Sequence, residues 1–221
     1  DIKKQPAGLQ PWIDAGKLKG PKVNLSSFEF NMLGLNLSPA YMMLENIHLV
    51  AEAMGLGSVV FGGYTGTVML GVTSLSKGLG FRSVADNSGK PNPVGRDGVF
   101  QAYCPPYYRN MDEAVEAFVE KKFGSGGTLA ANYQGVVPFK DWLRLQPEYH
   151  HPSKASVEQV KAFCRYVYET YGRFPATYDV MQVPVWLQAH HLDLEFYDQY
   201  YPPEMVTPAQ REHLKRWHKP E

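Results

Sequence analysis

A glycine-rich corner in the first third of the chain is the stretch best suited to holding a ligand. It reads AEAMGLGSVVFGGYTG over residues 51–66, which predicts the end of a helix, a glycine stop, a short buried strand and a turn with paired glycines. Because Gly62 and Gly63 lack side chains, the main chain there can adopt angles that other residues avoid, and a flat ligand can approach it closely. The corner therefore suits a planar cofactor, although a tight strand-to-helix turn with nothing bound explains the same residues.

Two common nucleotide-binding motifs are missing from this corner. The strand is not followed by the G-x-G-x-x-G fingerprint of dinucleotide-binding folds, and no Gly-Lys-Ser/Thr of a phosphate-binding loop occurs. Any ligand at the corner is thus expected to contact the main chain rather than a charged side chain.

A second group of possible ligands lies near the C-terminus. The segment QAHHLDLEF contains His190, His191, Asp193 and Glu195, and on a helix His191 and Glu195 would share one face. A metal site needs three or four converging ligands, and no His-Glu-x-x-His spacing is present. We therefore predict no metal, with His190, His191 and Glu195 as weak candidates. The alternatives are a His–carboxylate pair that holds the tail on the main body, or surface residues without a special role.

Two other polar groups have simple structural interpretations. Glu45 and His48 form Glu-x-x-His on a predicted helix, which is half of a di-iron carboxylate pattern, but no second copy is present. An ion pair or a polar helix edge is the simpler interpretation. Cys104 precedes Pro105 and has no Cys-x-x-Cys partner, so we expect a buried, inert thiol.

Composition excludes several classes of protein. The 221 residues fit one compact unit with an appendage, and 22 basic residues balance 22 acidic ones. This balance predicts no binding to nucleic acid or to an anionic membrane. Two cysteines are too few for a disulfide scaffold, and no apolar run reaches the roughly 18 to 20 residues of a membrane helix. We therefore expect a cytoplasmic protein with reduced thiols.

The elements that would position the corner are predicted by helix caps and apolar periodicity. Residues 1–37 show no sustained period and are expected to be mostly irregular. Ser38 and Pro39 suit a helix start and Gly55 a helix stop. The spacing predicts that this helix buries one apolar stripe, formed by Met42, Met43, Ile47, Val50, Ala51 and Met54.

Further elements follow the corner. A weak helix is expected to end near Gly78, residues 82–97 favour turns, and residues 98–104 alternate as a strand does. Asn110 and Glu113 form a capping box that begins a helix ending at Gly124.

A shift in composition after Gly124 predicts two parts, 1–124 and a helical, aromatic-rich extension over 125–221. Its predicted helices are one with Ser156 and Gln159 at its start and Gly172 at its end, one over 184–200, and one beginning at Thr207 with Gln210. Its aromatic residues suit either wrapping around a neighbouring subunit or packing on their own domain; they are Tyr166, Tyr168, Tyr171, Phe174, Tyr178, Phe196, Tyr197, Tyr200 and Tyr201.

Over about residues 38–110 the chain resembles the FMN-dependent nitroreductase superfamily. The similarity lies in ENIHLVAEAMGLG, SVVF and GGYTG, which correspond to a core helix, a strand and the turn under the flavin, and in TVMLGVTSLSKGLGF and GVFQAYCPPYY after them. The resemblance implies an α+β fold, a nitroreductase-like sheet flanked by helices, with a mainly helical C-terminal extension. It also implies a homo-oligomer or larger complex with FMN at a subunit interface.

The resemblance further implies an oxidoreductase that transfers hydride through flavin N5 from NAD(P)H or another reductant to a small-molecule acceptor. The implied cofactor-binding residues are Val60, Phe61, Gly62, Gly63, Tyr64 and Arg109. The family's N-terminal Arg-x-Ser-x-Arg, which holds the ribityl phosphate, does not occur in the sequence, and Val60 and Gly62 stand where the family usually has Pro and an acidic residue. Either the phosphate clamp lies upstream of Asp1, or phosphate binding has been lost. The second case gives the alternative of a non-catalytic assembly subunit, and a His/carboxylate metal enzyme is a third, weaker alternative.

Overall fold

The computed structural model describes residues 1–61, 66–130, 140–145, 151–178 and 186–217, which form helices and small antiparallel sheets in an α+β arrangement. The helices are α1 (Gln10–Asp14), α2 (Leu25–Ala53), α3 (Gly66–Met69), α4 (Met111–Phe123), α5 (Trp142–Leu145), α6 (Lys154–Tyr171), α7 (Leu194–Tyr200) and α8 (Pro208–Trp217). The strands are β1 (Gly57–Phe61), β2 (Arg82–Ala85), β3 (Pro91–Arg96), β4 (Phe100–Gln101) and β5 (Trp186–His190). A 3-10 turn covers Pro203–Met205.

The chain divides into two compact units, each built from two separate stretches. The first unit comprises Asp1–Glu29 and Leu70–Asp179, and the second comprises Phe30–Met69 and Val180–Glu221. The predicted parts 1–124 and 125–221 do not coincide with these units, since residues on both sides of Gly124 lie in the first.

A three-stranded antiparallel sheet in the order β2-β3-β4 lies in the first unit. The sequence predicts turns over 82–97, and this prediction is wrong for the two strands of the hairpin, β2 and β3, because Pro91 and Pro93 mask the strand signal. β4 pairs with Gly95 and Arg96, so among the described strands β3 has only β2 beside it where its prolines lie. The missing N–H groups of Pro91 and Pro93 therefore break no ladder there. The strand predicted over 98–104 is correspondingly short, limited to Phe100 and Gln101.

Helices α4 and α6 supply the main core of the first unit. Asn110 accepts a hydrogen bond from the Glu113 amide at 2.9 Å, which confirms the predicted start of α4, and Gly124 ends the helix. Val94, Met111, Val115 and the two cysteines pack together as one buried cluster. The apolar sides of these two helices therefore face each other and the sheet.

Helix α6 begins three residues earlier than predicted. Ser153, rather than Ser156, caps it by accepting a hydrogen bond from the Ser156 amide at 3.1 Å. Its predicted end at Gly172 is confirmed, and the Asn87 amide donates to the Tyr171 carbonyl at 3.1 Å. The β2–β3 turn thus satisfies a carbonyl that the end of α6 leaves without a helical partner.

The first turns of α2 are anchored in the first unit. Leu25 packs with Val167 and Ala176 in a second buried cluster. The buried Glu29 carboxylate accepts hydrogen bonds from the amides of Ala176 and, at 2.9 Å, Thr177. This carboxylate therefore holds the loop after α6 against α2.

Helix α2 is longer than the sequence predicts. Asn24 accepts a hydrogen bond from the Ser26 amide at 2.8 Å, so the helix begins at Leu25 rather than at Ser38, and Pro39 lies inside it. Residues 1–37 are therefore not irregular throughout. Ser38 and Pro39 were compatible with a start because Pro at the first turn and Pro inside a long helix give the same local sequence.

The predicted burial of the α2 stripe is wrong for the single chain. Within the second unit Ala51 is buried, but the other five members expose more than half of their surface: Met42, Met43, Ile47, Val50 and Met54. Among the residues that the structure describes, no helix combines the length and apolar character that crossing a membrane requires.

The second unit contains a two-stranded antiparallel sheet of β1 and β5, with Gly57 opposite His190 and Phe61 opposite Trp186. The predicted helix over 184–200 is wrong in its first half, since residues 186–190 form β5 and α7 begins at Leu194. The C-terminal extension therefore contributes a strand as well as helices. The expected weak helix before Gly78 is limited to α3.

Helix α8 completes the second unit. Thr207 and Gln210 exchange hydrogen bonds of 2.8 and 3.3 Å as a capping box, which confirms the predicted start of this helix. Leu192, Val206 and Leu214 form the buried cluster beneath α7 and α8. The tail aromatics divide accordingly: Tyr166, Tyr168 and Tyr171 pack in the first unit, whereas Phe196, Tyr200 and Tyr201 are exposed.

Candidate functional site

The glycine corner is built as the sequence predicts up to its strand. Helix α2 ends at Ala53, and Gly55 has φ +80°, the left-handed conformation that favours glycine. A Cβ at Gly55 would lie 2.5 Å from the Ala209 carbonyl oxygen and against His213. Glycine is thus required both by the backbone turn and by the close approach of α8.

The start of β1 is equally tight. A Cβ at Gly57 would overlap the Leu192 side chain and lie 3.5 Å from His190 Nε2. Gln210 Nε2 donates to Glu52 at 3.1 Å and to the Leu56 carbonyl at 3.3 Å. The end of α2, the start of β1 and α8 are therefore fixed together.

Strand β1 is open to solvent at its far end. Val60 pairs with Leu187 and Phe61 with Trp186, but Val60 is 54% exposed and Phe61 37%. Val59 is 45% exposed as well, so the prediction of a buried strand is wrong for all three residues. In the described part of the second unit β1 has one strand neighbour, so alternate backbone amides point toward its other edge. One of Val60 and Phe61 consequently presents its amide away from β5.

The remaining predicted cofactor residues fall elsewhere. Gly62, Gly63 and Tyr64 lie outside the described residues. Arg109 belongs to the first unit, where its amide donates to Glu113 at 2.9 Å and its exposed guanidinium lies 3.6 Å from the same carboxylate. Val60 and Phe61 are the predicted residues that the structure places together.

His48 fastens α2 to β1 rather than joining a metal site. Its Nδ1 atom makes a short hydrogen bond with Ser58 Oγ, whereas Glu45 is an exposed residue of the same helix. The structure thus supplies His48 with a partner on the strand, which the Glu-x-x-His spacing alone does not indicate.

Two C-terminal histidines, His191 and His213, form a pair that their spacing in the sequence does not predict. His213 Nε2 lies 3.0 Å from His191 Nδ1 with the rings stacked, and His213 also lies beside Trp217. A hydrogen bond between two imidazoles requires one nitrogen to accept, so at least one ring is neutral in this geometry. The capping box at Thr207 determines where α8 begins and so which residues share a face with His213. The contact of His213 with His191 depends on the tertiary fold.

The predicted helical pairing of His191 with Glu195 is wrong, because His191 precedes α7. Asp193 caps that helix by accepting from the Phe196 amide at 3.1 Å, and Glu195 lies in its first turn. His190 is an exposed residue of β5. Among the described residues no three His, Cys, Asp or Glu side chains converge as a metal ion would need.

Both cysteines are free and buried in the first unit, as predicted for Cys104. Burial raises the pKa of each thiol to about 11, with the Asp112 charge adding to the effect at Cys164. Both side chains are therefore protonated thiols at neutral pH, which suits packing rather than nucleophilic chemistry.

Two open grooves lie in the first unit. One, of about 470 Å³, runs beside α4 and α6 and is lined by Glu113, Glu116, Ala117, Val119, Glu120 and Val157. The other, of about 390 Å³, is lined by Val72, Ser83, Ala85, Gly89 and Pro91. Neither contains Val60 or Phe61, so the corner is an open strand end rather than part of these grooves.

Comparison of the chain with protein-family models, with characterised proteins and with solved structures gives no match. What the chain does must therefore be argued from its motif and from the geometry of its corner.

Proposed function

We propose that the chain is a nitroreductase-like, FMN-dependent oxidoreductase that passes hydride through flavin N5 to a small-molecule acceptor, in a homo-oligomer or larger complex. The observation that supports the proposal most is the order of elements at the corner. A long helix ends at Ala53, Gly55 reverses the chain, and β1 runs from Gly57 to Phe61 immediately before Gly62 and Gly63. This is the order in which the resembling family builds the turn under its flavin.

The end of β1 fits the ring of a flavin better than its phosphate. A backbone amide of β1 that points away from β5 is a suitable donor to a ring nitrogen, and the exposed Val59 and Val60 side chains offer apolar surface. The phosphate needs positive charge or free amides, yet residues 30–69 contain neither Lys nor Arg. Arg109, the sequence candidate, is engaged with Glu113. A phosphate contact must therefore come from outside the segment that forms the corner.

Within this proposal the chain acts by orientation. When bound, a flavin supplies hydride transfer through N5. The β1 amides would hold the ring edge, and Gly62 and Gly63 would let the main chain approach it. The reductant, NAD(P)H or another donor, and the acceptor would stack on the open ring face. No general acid or base is required of the side chains.

The direct test is flavin binding by the full chain. We expect the purified protein to bind added FMN with quenching of its fluorescence, to absorb at about 450 nm, and to lose that absorbance on anaerobic addition of NAD(P)H. Riboflavin is the matched ligand without phosphate. Similar affinities for FMN and riboflavin are expected, because the corner lacks basic residues. Protein that binds neither flavin would contradict the proposal.

A pair of proline variants tests the site itself. Of Val60→Pro and Phe61→Pro, one removes an outward amide and keeps the ladder, and the other breaks pairing with β5. The variant that retains the parent's unfolding transition should bind FMN at least about tenfold more weakly, because one hydrogen bond is lost. The Val60 and Phe61 amide resonances provide a readout without substitution, since one of them should shift on flavin addition. Unchanged resonances in protein that does bind flavin would place the site elsewhere.

The second candidate is a non-catalytic assembly subunit. It is favoured by the absence of Lys and Arg from residues 30–69 together with the large exposed apolar surface of α2. Under this alternative the chain self-associates or joins a complex but binds no flavin. Measuring flavin binding and native mass on the same sample separates the two candidates.

A further inference from the structure

Two neighbouring turns of the first unit carry exposed apolar side chains. Leu75 and Leu79, in the loop before β2, are 85% and 45% exposed. Val99 and Phe100, at the β3–β4 turn, are 70% and 56% exposed. Single exposed apolar residues are ordinary, but a group of large ones usually marks an interaction site. These four residues are called the apolar tip below.

Contacts between the two turns bring the apolar tip together. The rings of Phe81 and Phe100 meet edge to face, with their centroids 5.9 Å apart. A Cβ at Gly80 would lie 3.6 Å from Arg96 Nε, so the end of the loop before β2 lies beside the end of β3. Leu79 directly precedes Gly80 and is therefore close to the β3–β4 turn.

The loop that carries Leu75 is closed on itself. The Gly78 amide donates a hydrogen bond to Ser76 Oγ at 2.9 Å. A Cβ at Gly71, which has φ +70°, would lie 2.6 Å from the Lys77 carbonyl oxygen. These contacts hold the loop in a conformation that leaves Leu75 in solvent. A surface that is already ordered loses less conformational entropy when it binds a partner.

The apolar tip is bordered by positive charge. Lys77 and Arg96 are exposed residues of the two segments that form it. The loop before β2 and the β3–β4 turn together contain one acidic residue, Asp97. Its carboxylate lies 3.8 Å from the Arg82 guanidinium and accepts a hydrogen bond from the Tyr107 hydroxyl at 2.6 Å. Because Arg82 balances Asp97, the charges of Lys77 and Arg96 remain in excess.

The net charge of the whole chain does not reveal this local excess. The 22 basic and 22 acidic residues balance, which predicts no binding to an anionic membrane. However, a protein charge is attracted to a membrane surface only within about a Debye length, roughly 8 Å at physiological ionic strength. The charge beside the apolar tip therefore matters more than the total. Helix α2 also exposes apolar side chains, but residues 30–69 contain neither Lys nor Arg.

Exposed apolar side chains next to basic ones are complementary to an anionic bilayer. The apolar groups enter the boundary between headgroups and acyl chains, and Lys and Arg contact the anionic headgroups. A Cβ at Gly98, in the β3–β4 turn, would meet no atom within 4 Å, so this turn projects into open space. A fluid lipid surface accommodates projecting turns, whereas a protein partner needs a matching pocket. We infer that the apolar tip docks on an anionic lipid surface, a property beyond the proposed function and independent of flavin.

Vesicle sedimentation tests the role of charge. In about 0.1 M salt the full chain should bind phosphatidylcholine vesicles with about 30% phosphatidylserine at least tenfold more tightly than phosphatidylcholine alone, and less tightly in about 0.5 M salt. Arg96→Gln should weaken this binding about fivefold, because one cation at the surface is lost. Lys90→Gln is the matched control, since Lys90 lies at the opposite end of β3, and it should have a smaller effect. No binding, equal binding to both vesicles, or equal losses in the two variants would overturn the inference.

An apolar position tests insertion into the bilayer. Val99→Asp should weaken binding to the anionic vesicles about tenfold, because a charge replaces an apolar group that enters the lipid. Val160→Asp is the control at an exposed apolar position of α6, 49% exposed, and should leave the binding unchanged. Both side chains are exposed, so both variants should keep the unfolding transition of the parent chain. Equal binding by the parent chain and Val99→Asp would contradict docking through the apolar tip.

A polarity-sensitive dye reports insertion without removing the interaction. Cys104 and Cys164 are buried, so a dye that reacts with thiols should label Val99→Cys at the new residue. Its emission should shift to the blue when the anionic vesicles are added, and the same dye on Val160→Cys should not shift. A dye on Val99→Cys that does not shift in vesicle-bound protein would overturn the inference.

Vesicle binding and flavin binding fail independently. Protein that binds the anionic vesicles but no flavin would support the lipid-docking surface and contradict the proposed oxidoreductase. Protein that binds flavin but not the vesicles would support the oxidoreductase and overturn the docking surface.

Discussion

Helices α6 and α2 each carry an apolar stripe at helical spacing, but the two stripes differ in how they are covered. In the first unit α6 buries Cys164 and Val167 against α4, the sheet and the start of α2. In the second unit α2 leaves Met43, Ile47 and Val50 exposed. Periodicity therefore identifies which side of a helix is apolar, but not whether the same chain covers it. The difference indicates that the first unit has its own core, whereas the second has a core at the ends of its elements and an open surface along α2.

The largest effect should come from the tight end of α2. Gly55→Ala forces alanine into φ +80° and brings its Cβ against the Ala209 carbonyl and His213. We expect a loss of about 3 kcal/mol in the free energy of unfolding, combining left-handed strain with overpacking. Hydrogen exchange should show faster exchange in α8 and β1. Gly34→Ala is the control in the same helix, has open space around it, and should stabilise by about 0.5 to 1 kcal/mol. An equal loss in both variants would mean that the corner is not tightly packed.

Core truncation should distinguish the two helices more directly. Val167 is 0% exposed and Val160, on the same helix, is 49% exposed. Val167→Ala should cost about 2 kcal/mol in the free energy of unfolding, and Val160→Ala less than about 0.5. Val50→Ala should behave like Val160→Ala under conditions in which the chain is monomeric. Denaturant unfolding measures all three. A large loss for Val50→Ala in the monomer would show that the chain itself covers this side of α2.

Local signals in the sequence predicted the ends of the elements well. The cap at Asn110, the box at Thr207 and the stops at Gly55 and Gly172 depend on neighbouring residues, and the structure confirms each of them. Pairing between strands that are far apart in the sequence is harder to predict. Strand β5 was interpreted as helix because its strand character comes from pairing with β1, which lies over a hundred residues earlier.

The candidate site is predictable only in part, because local signals mark its glycines whereas its surroundings depend on contacts between distant residues. Glycine spacing locates the corner, but the exposure of Val60 depends on which strand pairs with β1. The contact between His191 and His213 likewise requires α8 to lie beside β5. The position of Arg109 after CPPYY favours a role in cofactor binding, but Glu113, four residues further on, engages its guanidinium instead.

The free energy of unfolding of the first unit should depend on pH because of its buried carboxylates. Burial raises the pKa of Glu29 despite its hydrogen bonds from Ala176 and Thr177. Because the folded-state pKa exceeds the ordinary 4.5, the stability from Glu29 is full below that value and is lost as the pH rises through the raised pKa. Glu29→Gln should remove this slope. Urea unfolding from about pH 3 to 7 measures it, and a variant with the parent's slope above pH 4.5 would contradict the assignment.

Asp86 is the matched carboxylate whose pKa is shifted in the opposite direction, downward. Burial alone would raise its pKa, but hydrogen bonds from Ser88 and the Lys90 amide, with Arg173 nearby, hold the pKa below its ordinary 3.8. Its contribution is therefore present above 3.8 and is lost as the pH falls through the lowered pKa. In the same urea series Asp86→Asn should remove only the loss of stability at acid pH. The two variants should therefore alter opposite ends of the plot of unfolding free energy against pH.

The smallest effect should come from two matched surface pairs, one in each unit. Arg165 Nε lies 3.0 Å from Asp112 and joins α6 to α4, while Arg211 Nη2 lies 2.8 Å from Asp198 and joins α8 to α7. All four side chains are partly exposed to solvent, so Arg165→Ala should lower the free energy of unfolding by only about 0.5 kcal/mol, and by less in about 1 M salt. Arg211→Ala should cause a loss that is small and also falls as salt is added. Double-mutant cycles with Asp112→Asn and Asp198→Asn isolate each pair. Helices α4 and α6 are already held together by a buried cluster, whereas α7 is short and has no buried residue. A clearly larger coupling energy for the Arg211–Asp198 pair would therefore mean that the second unit depends on surface contacts and the first on its core. Equal couplings would confine the difference between the units to the uncovered side of α2.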